Sequence, residues 1–299
     1  MNSLFEGAKA NDSKDLVNFI IMTLHEELNE GTQFEDNNAP SQENELLMFN
    51  YFKQSYYQEN KSIISDLFYG INGTKYECKS CHTNKYNYQI GFFYIFPLEE
   101  IRKFKIENLK QIYMQNMQMQ INMQVQMGQL MPGMNNMQYL MMMCQPYFIN
   151  IQNINTVNII DCFDYNQKVE EMSGDNSMYC NICQRQEAAY YHSYIVDSPE
   201  IMIIILNRGK GIEFNVKLEF SEYLSIKNYI RINNNNPYNY KLIGVVTHMG
   251  VSGHFVAICR SPIDDKWYNY NDDLCFPVND FKQNVIDYAM PYILFYQKM

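Results

Sequence analysis

Two short cysteine pairs, Cys78-Lys-Ser-Cys81 and Cys180-Asn-Ile-Cys183, limit what this chain can become more than any other feature. A C-x-x-C turn presents two thiolates to one tetrahedral ion, and two such turns complete a four-cysteine shell. One shared ion ties residue 78 to residue 183 across the intervening chain and puts each pair at the tip of a tight turn. The flanks are strand-like: Lys75-Tyr76 and residues 86–88 around the first pair, Met178-Tyr179 and residues 188–191 around the second. Paired hairpins closing on a structural Zn²⁺ are therefore expected, with a full shell that holds the fold and leaves no position for substrate. His82, next to Cys81, is available as a substitute ligand and is expected beside the shell.

A second constraint lies in residues 240–273, YKLIGVVTHMGVSGHFVAICRSPIDDKWYNYNDD. An apolar strand (Leu242, Ile243, Val245, Val246) turns through Gly250 and Gly253 and re-enters a strand at His254. It reverses at Ser261-Pro262 and Asp264-Asp265 and returns as Trp267-Tyr-Asn-Tyr270. Glycines flanking a turn into β-branched and aromatic runs predict an antiparallel meander. That geometry brings His254, at the mouth of one strand, within side-chain reach of Asn271, Asp272 and Asp273 at the end of its hairpin partner. An imidazole held by an amide or carboxylate is half of a nucleophilic unit, because the partner fixes the tautomer and leaves the other nitrogen to take a proton. Alternation turns one of Asn271 and Asp272 toward the ring and the other away.

A formal net charge of −10 over 299 residues argues against phosphate neutralisation, and so against a nucleic-acid partner. No signal peptide and no run of about 18 apolar residues is found, so neither secretion nor membrane spanning is expected. An intracellular protein, in cytoplasm or nucleus, keeps its eight cysteines as thiols or metal ligands.

Residues 11–28 predict a helix: Leu16, Ile20, Leu24 and Leu28 recur every four positions, Val17 and Ile21 widen the stripe, and Asp12 or Ser13 can cap it. The stripe is expected to face the core and His25 to be exposed. Residues 29–42, polar and without periodicity, predict a mobile loop. Residues 88–98 predict one strand of the central sheet. Residues 111–143 hold eleven of the twenty methionines, interleaved with Gln and Asn and broken at Met131-Pro132-Gly133. Disorder or a loosely docked loop is expected there. Cys162, beside Ile159, Ile160 and Phe163, suits a buried thiol. The apolar run from Ile201 to Leu206 predicts a strand buried on both faces, and residues 233–236 a surface loop.

GHFVAICR followed by KWYNYNDD resembles the histidine box of the ubiquitin-specific proteases, and the two cysteine pairs resemble the zinc ribbon at the tip of that family's fingers. SPEIMIIILNRGKG is similar to its P-x-x-L-x-x-x-L-x-R palm strand, and residues 289–296 to its closing strand. LEFSEYLSI is similar to its V-x-F-P-x-x-L-D-L element, with Ser221 where proline is usual. DSKDLVNFIIMTLHEEL resembles a helix downstream of its cysteine box.

The resemblance implies an α+β, papain-like cysteine protease fold of fingers-palm-thumb type, with an antiparallel palm sheet and a zinc-ribbon fingers extension. Residues 1–299 become one such domain: 1–70 a remnant of the helical thumb, 71–98 and 156–196 the fingers and zinc ribbon, 111–146 a Met/Gln-rich insertion, and 197–299 the palm. It implies ubiquitin or a ubiquitinated protein as partner and thiol-dependent hydrolysis of isopeptide bonds at the ubiquitin C-terminus. His254 is then the base. Asn271 matches the third catalytic position, its amide oxygen accepting the Nδ1 proton of His254, with Asp272 as supporting polar group. Cys78, Cys81, Cys180 and Cys183 bind structural zinc. The family's nucleophile sits in an N-terminal box, G-L-x-N-x-G-N-T-C, and nothing like it stands in this sequence. Cys259 lies five residues past His254 on the same strand, roughly 16 Å away and on the opposite face. Cys144 and Cys275 lack the surroundings that lower a thiol pKa. The chain as it stands is expected to be inactive: either a deubiquitinase sequence without its nucleophile or a ubiquitin-binding scaffold.

Overall fold

The computed structural model describes residues 12–35, 39–126, 136–209, 215–231, 238–249, 254–287 and 289–299. The Gly250 and Gly253 turn, the Met131-Pro132-Gly133 break and the 233–236 loop lie outside the described residues. Three helices come first: α1 (Ser13–Leu28), α2 (Glu45–Glu59) and α3 (Ile63–Phe68). Each starts where a short polar side chain takes up a free amide. Asp12 accepts from the Lys14 amide at 2.9 Å, Asn44 from Leu47 at 3.1 Å and Ser62 from Ser65 at 3.0 Å.

The face of α1 that packs is one residue out of phase with the expected one. Leu16, Ile20, Leu24 and Leu28 are 39–49% exposed, while Val17, Ile21 and His25 line the packed side. His25 is buried because its Nδ1 lies 2.8 Å from Ser62 Oγ and its ring tilts against Tyr69. Two adjacent lines of α1 are equally apolar, so periodicity sets the helix but not its rotation; the polar tie to α3 does that. The loop after α1 is also held over its first part. Asn29 accepts from the amides of Gly31 and Lys61 and donates to the Glu59 carbonyl, and the Thr32 amide donates to the Gln58 carbonyl.

The strands begin with β1 (Gly70–Cys78), β2 (Asn84–Gly91) and β3 (Tyr94–Pro97). The single strand expected at 88–98 is thus divided, with Phe92 and Phe93 carrying the chain from one sheet to another. Next come α4 (Leu98–Gln126), α5 (Asn136–Gln152), β4 (Thr156–Asn158), α6 (Ile159–Asn166), β5 (Glu170–Met172), β6 (Met178–Cys180), β7 (Arg185–Glu187) and β8 (Ala189–Asp197). The chain continues through β9 (Ile201–Asn207), β10 (Lys217–Glu219), β11 (Tyr223–Ser225), β12 (Asn239–Met249), β13 (His254–Arg260), β14 (Trp267–Asn271), β15 (Leu274–Pro277) and β16 (Pro291–Lys298).

Two compact units result. The first holds Met1–Phe96, Asn166–Leu206 and Ser221–Met299. In it, β2, β1, β8 and β5 form an antiparallel sheet. A larger sheet has the order β15-β14-β13-β12-β16-β9-β3, with β11 also on β12. The predicted meander is β12 to β15, every pair antiparallel. In β9, Met202 to Leu206 are all buried, as a strand covered on both faces requires. Its core joins Tyr56, Tyr69 and Tyr194 to Ile203, Ile205 and Ile293. A Cβ at Gly73 would lie 2.4 Å from the Tyr194 ring, its cross-strand partner, so glycine is what lets that ring lie across β1.

The second unit holds Pro97–Tyr165 and Asn207–Phe220. Here the expectation of disorder fails, since α4 and α5 extend through the methionine-rich tract on both sides of the undescribed residues. Ile121, Leu140 and Cys144 are buried between the helices, with Met114, Met117 and Phe148 against them. Tyr113 stacks on Tyr147 at 4.0 Å. Met and Gln are good helix formers, and Met114, Met117 and Ile121 keep helical spacing despite the amides between them.

Candidate functional site

The register of β13 against β14, Ala257 opposite Tyr270 and Ile258 opposite Asn269, decides which side chains share a face. His254, Val256 and Ile258 alternate onto the face that takes Asn269 and Asn271. His254 Nε2 lies 2.7 Å from Asn271 Oδ1. Asp272 Oδ2 is 3.9 Å from the same nitrogen. That side chain is exposed, in the turn to β15, where its φ of 50° is one that Asp tolerates. The structure therefore brings Asn271 onto the ring and leaves Asp272 within charge range only.

The nitrogen differs from the expected one. Nε2, not Nδ1, meets the amide, because a ring standing on β13 reaches the neighbouring strand with its distal atom. An Nε2–H donated to Asn271 leaves the Nδ1 lone pair as the proton acceptor. The ring is half-exposed.

The same face runs into a cavity of ≈570 Å³ lined by Val256, Ile258, Asn269, Phe276, Val278 and Met290, among others. Asn269 Oδ1 is buried without a hydrogen-bond partner among the described residues. Thr247 Oγ1 donates to the Met290 carbonyl at 2.9 Å and accepts from its amide at 3.0 Å, which fixes one wall. Sequence reasoning missed Asn269. Its alternation with Asn271 was the available signal, but only Val278, Asn279, Asn284, Ala289 and Met290, folding back over it, make a cavity of that face.

Within this unit no free thiol shares that face. Cys259 alternates to the opposite one, and burial pushes its thiol up. Cys275 pairs with Tyr270, also on the side away from Asn271. In the second unit, Cys144 and Cys162 are buried, and burial pushes both thiols up.

The remaining four cysteines meet at one point. The His82 amide donates to the Cys78 carbonyl at 2.9 Å and the Gln184 amide to the Cys180 carbonyl at 2.8 Å, and both residues take a positive φ, 59° and 55°. The two knuckles thus have one shape. All four sulfurs lie within 4.8 Å of one another, with Cys81 to Cys180 at 3.5 Å and Cys78 to Cys183 at 3.9 Å. A tetrahedral ion with sulfur ligands at about 2.3 Å sets them about 3.8 Å apart, so these residues can hold a metal such as zinc. The Thr83 hydroxyl holds the Cys81 thiol down to about 6, while hydrogen bonding to Cys81 pushes Cys183 up to about 12. One thiolate hinders the next, and a divalent cation removes that conflict. His82 turns away, its Nδ1 3.2 Å from a Glu77 carboxylate oxygen, so it is no part of the cluster.

A paired His–Asn on an antiparallel sheet, in one unit with a four-cysteine ribbon, defines a class: the papain-like α+β fold with a ribbon extension. Residues 1–296 match the family described as "Ubiquitin carboxyl-terminal hydrolase". The chain belongs to that family, which makes it a deubiquitinase-type domain. It is 20% identical to "Ubiquitin carboxyl-terminal hydrolase Usp2" of Drosophila melanogaster over 295 residues, 96% of this chain and 26% of that protein. It is 30% identical to "Ubiquitin carboxyl-terminal hydrolase 48" of Gallus gallus over 125 residues, 38% of this chain and 12% of the relative. With "Ubiquitin carboxyl-terminal hydrolase 17-like protein B" of Mus musculus the identity is 30% over 112 residues, 36% of this chain and 24% of the relative. The matches thus span a quarter or less of most of these relatives' lengths. A chain from a structure of the yeast SAGA DUBm with an Sgf73 mutant has the same fold at a TM-score of 0.59 and 17% identity, over 96% of this chain and 50% of that one. No helix among the described residues is long and apolar enough to cross a membrane.

Proposed function

We propose that this chain is the histidine-bearing, ubiquitin-binding domain of a ubiquitin-specific cysteine protease, and that as it stands it binds ubiquitin without cleaving it. His254 is the general base, Asn271 orients its ring, and Asp272 steadies the imidazolium. A cysteine thiol gives its proton to His254 Nδ1, and the sulfur attacks the carbonyl carbon of ubiquitin's C-terminal glycine. The isopeptide C–N bond then breaks as the imidazolium returns the proton to the leaving lysine amine, and water hydrolyses the thioester. The observation that carries this reading is the 2.7 Å bond that fixes His254 with its Nδ1 left to accept. The absent partner is the thiol, since Cys259 and Cys275 turn away from that face, Cys144 and Cys162 are buried in the second unit, and the other four cysteines meet in the ribbon. The cavity beside the pair, with its unpartnered Asn269 oxygen, is the seat for a segment that brings one.

Cys78, Cys81, Cys180 and Cys183 hold a structural Zn²⁺ in the fingers, residues 71–98 and 156–196; residues 197–299 are the palm and 1–70 belong to the thumb. The partner is ubiquitin or a ubiquitinated protein, in cytoplasm or nucleus. Titration with ubiquitin and reaction with ubiquitin vinyl sulfone test this together. Binding without a covalent adduct is expected. An adduct overturns the missing nucleophile, and a folded chain that ignores ubiquitin overturns the partner. The placement of the eight cysteines also favours a second reading, a permanent ubiquitin-binding scaffold. Adding a separate cysteine-box polypeptide tells the two apart: hydrolysis that depends on His254 selects the protease, and none selects the scaffold.

A further inference from the structure

Tyr56 and Tyr57 lie in the last turn of α2, Asp66 lies on α3, and Asp197 ends β8. With Tyr69, Glu200 and Lys298 among others they line a cavity of ≈190 Å³ within the first unit. Lys298 pairs with Tyr240 near the start of β12, whereas His254 pairs with Met249 at its end. The strand from 240 to 249 puts this cavity roughly 30 Å from the imidazole, so it is a separate place on the molecule. Two features show that it is built to be filled. The first is charge. Lys298 Nζ is held by the Ser198 carbonyl at 2.9 Å and by Glu200 at 3.3 Å. Asp66 and Asp197 have no ion-pair partner among the described residues, which leaves two uncompensated carboxylates in the walls. The second is a hydroxyl. Tyr56 is only 8% exposed, and its Oη has no hydrogen-bond partner among the described residues. Burial, and then neighbouring Tyr57, Asp197 and Asp66, push its phenol up, which puts that hydroxyl on the side of the two carboxylates. A shielded hydroxyl left without a partner is costly unless something enters to bond it.

We propose that this cavity seats one arginine side chain of a protein partner. Its volume is below the roughly 300–1,000 Å³ of pockets for drug-sized ligands, so it takes a side chain and not a cofactor. The free carboxylates select a cation. No three acidic groups here stand close enough to cage a metal ion, since among the described residues only the four cysteines do, and an organic cation is left. Of the two that proteins carry, guanidinium fits better. Its planar fork of five donors can serve two carboxylates and the Tyr56 oxygen at once, and it is more weakly hydrated than ammonium. Tyr56 and Tyr57 meet edge to face at 5.1 Å, and a guanidinium stacks on such rings. The net charge of −10 draws a basic partner toward the chain as a whole, and this cavity gives one of its side chains a fixed seat.

Titrating Nα-acetyl-argininamide into the full chain with ¹³C-labelled tyrosine rings tests this. Saturable shifts of the Tyr56 and Tyr57 ring signals are expected, with a Kd on the order of a millimolar for a probe this small. Asp66→Asn with Asp197→Asn should weaken binding at least about tenfold. Asparagine keeps the oxygen that accepts from the Ser198 amide. If the double variant melts early, Asp66→Asn alone, on the exposed side of α3, should weaken binding about threefold or more. Glu107→Gln with Asp175→Asn removes the same charge from exposed positions elsewhere and should leave the shifts as they are. The probe contains no ubiquitin and the cavity no part of the His254 pair, so this result and the proposed function stand or fall separately. The proposal is overturned by the absence of saturable shifts up to about 50 mM probe, by an equal loss in the Glu107 and Asp175 variant, or by Nα-acetyl-lysinamide binding as tightly.

Discussion

His254 Nε2 lies 2.7 Å from Asn271 Oδ1, and an Nε2–H donated there leaves Nδ1 as the acceptor that the proposed base needs. Asn271→Leu keeps the side-chain size and removes the acceptor, so the ring should become a mixture of its two neutral tautomers. Long-range ¹⁵N spectra at neutral pH check this; an unmodified chain already protonated at Nδ1 contradicts the assignment of base and orienter. The thiols give a second prediction at this scale. The thiolate is the reactive form, so a pKa pushed up by burial leaves less of it at any pH below that value. Cys144, Cys162 and Cys259 are all pushed up by burial, whereas Cys275 is exposed. In the zinc-loaded chain at pH 8, iodoacetamide should reach Cys275 at least about tenfold faster than these three. Peptide mass mapping reads the order. That His254 would find a polar partner was legible, because a hairpin places the mouth of one strand beside the end of the next. The choice between its nitrogens was not, because it turns on a side-chain reach that no pattern of residues encodes.

Helices show most clearly where pattern reading stops. The start of α1 was legible from Asp12, which caps it, but its rotation was not, because Leu16, Ile20 and Leu24 are as apolar as Val17 and Ile21. The packed face predicts unequal costs: Ile21→Ala should destabilise by about 2–4 kcal/mol and its neighbour Ile20→Ala by less than about 1 kcal/mol. Urea titrations of the two variants measure it, and equal losses would restore the face first expected. In the first turn of α4, the Glu99 carboxylate accepts from Arg102 Nε and Nη2, both at 2.7 Å, and this pair holds its pKa below the usual glutamate range. Both side chains are largely shielded from solvent, so Glu99→Gln should cost about 1–2 kcal/mol at neutral pH. A lowered folded-state value gives a contribution that is complete above the ordinary glutamate pKa of about 4.3 and is lost as pH falls through the lower, folded value. Urea melts of the chain and the variant should therefore differ at pH 7 and converge toward pH 3.

Across the whole molecule, the closure of residue 78 on residue 183 was legible because four thiolates at C-x-x-C spacing have few other stable arrangements. The order of the larger sheet was not: β16, last in the chain, lies between β12 and β9, and pairing between strands so distant in sequence leaves no local trace. The same unit contains both that sheet and the four cysteines, so the metal's effect on stability can be read from within the sheet. Trp267, the sole tryptophan, is buried on β14 and stacks on Phe281 at 4.6 Å. Its fluorescence therefore reports the strand that also carries Asn271. With zinc in the proposed site, its removal would leave four crowded thiols that cannot all ionise and release the two knuckles from each other, a loss of several kcal/mol. In a unit this size each kcal/mol moves the melting midpoint by roughly 2–4 °C, so the Trp267 transition should fall on the order of 10 °C with chelator. Cys180→Ser should give the same fall, and the two together no more than either alone, because both remove one metal site. Metal analysis well below one zinc per chain, with a Trp267 midpoint that neither treatment moves, would show that the ribbon stands on hydrogen bonds and packing and not on an ion.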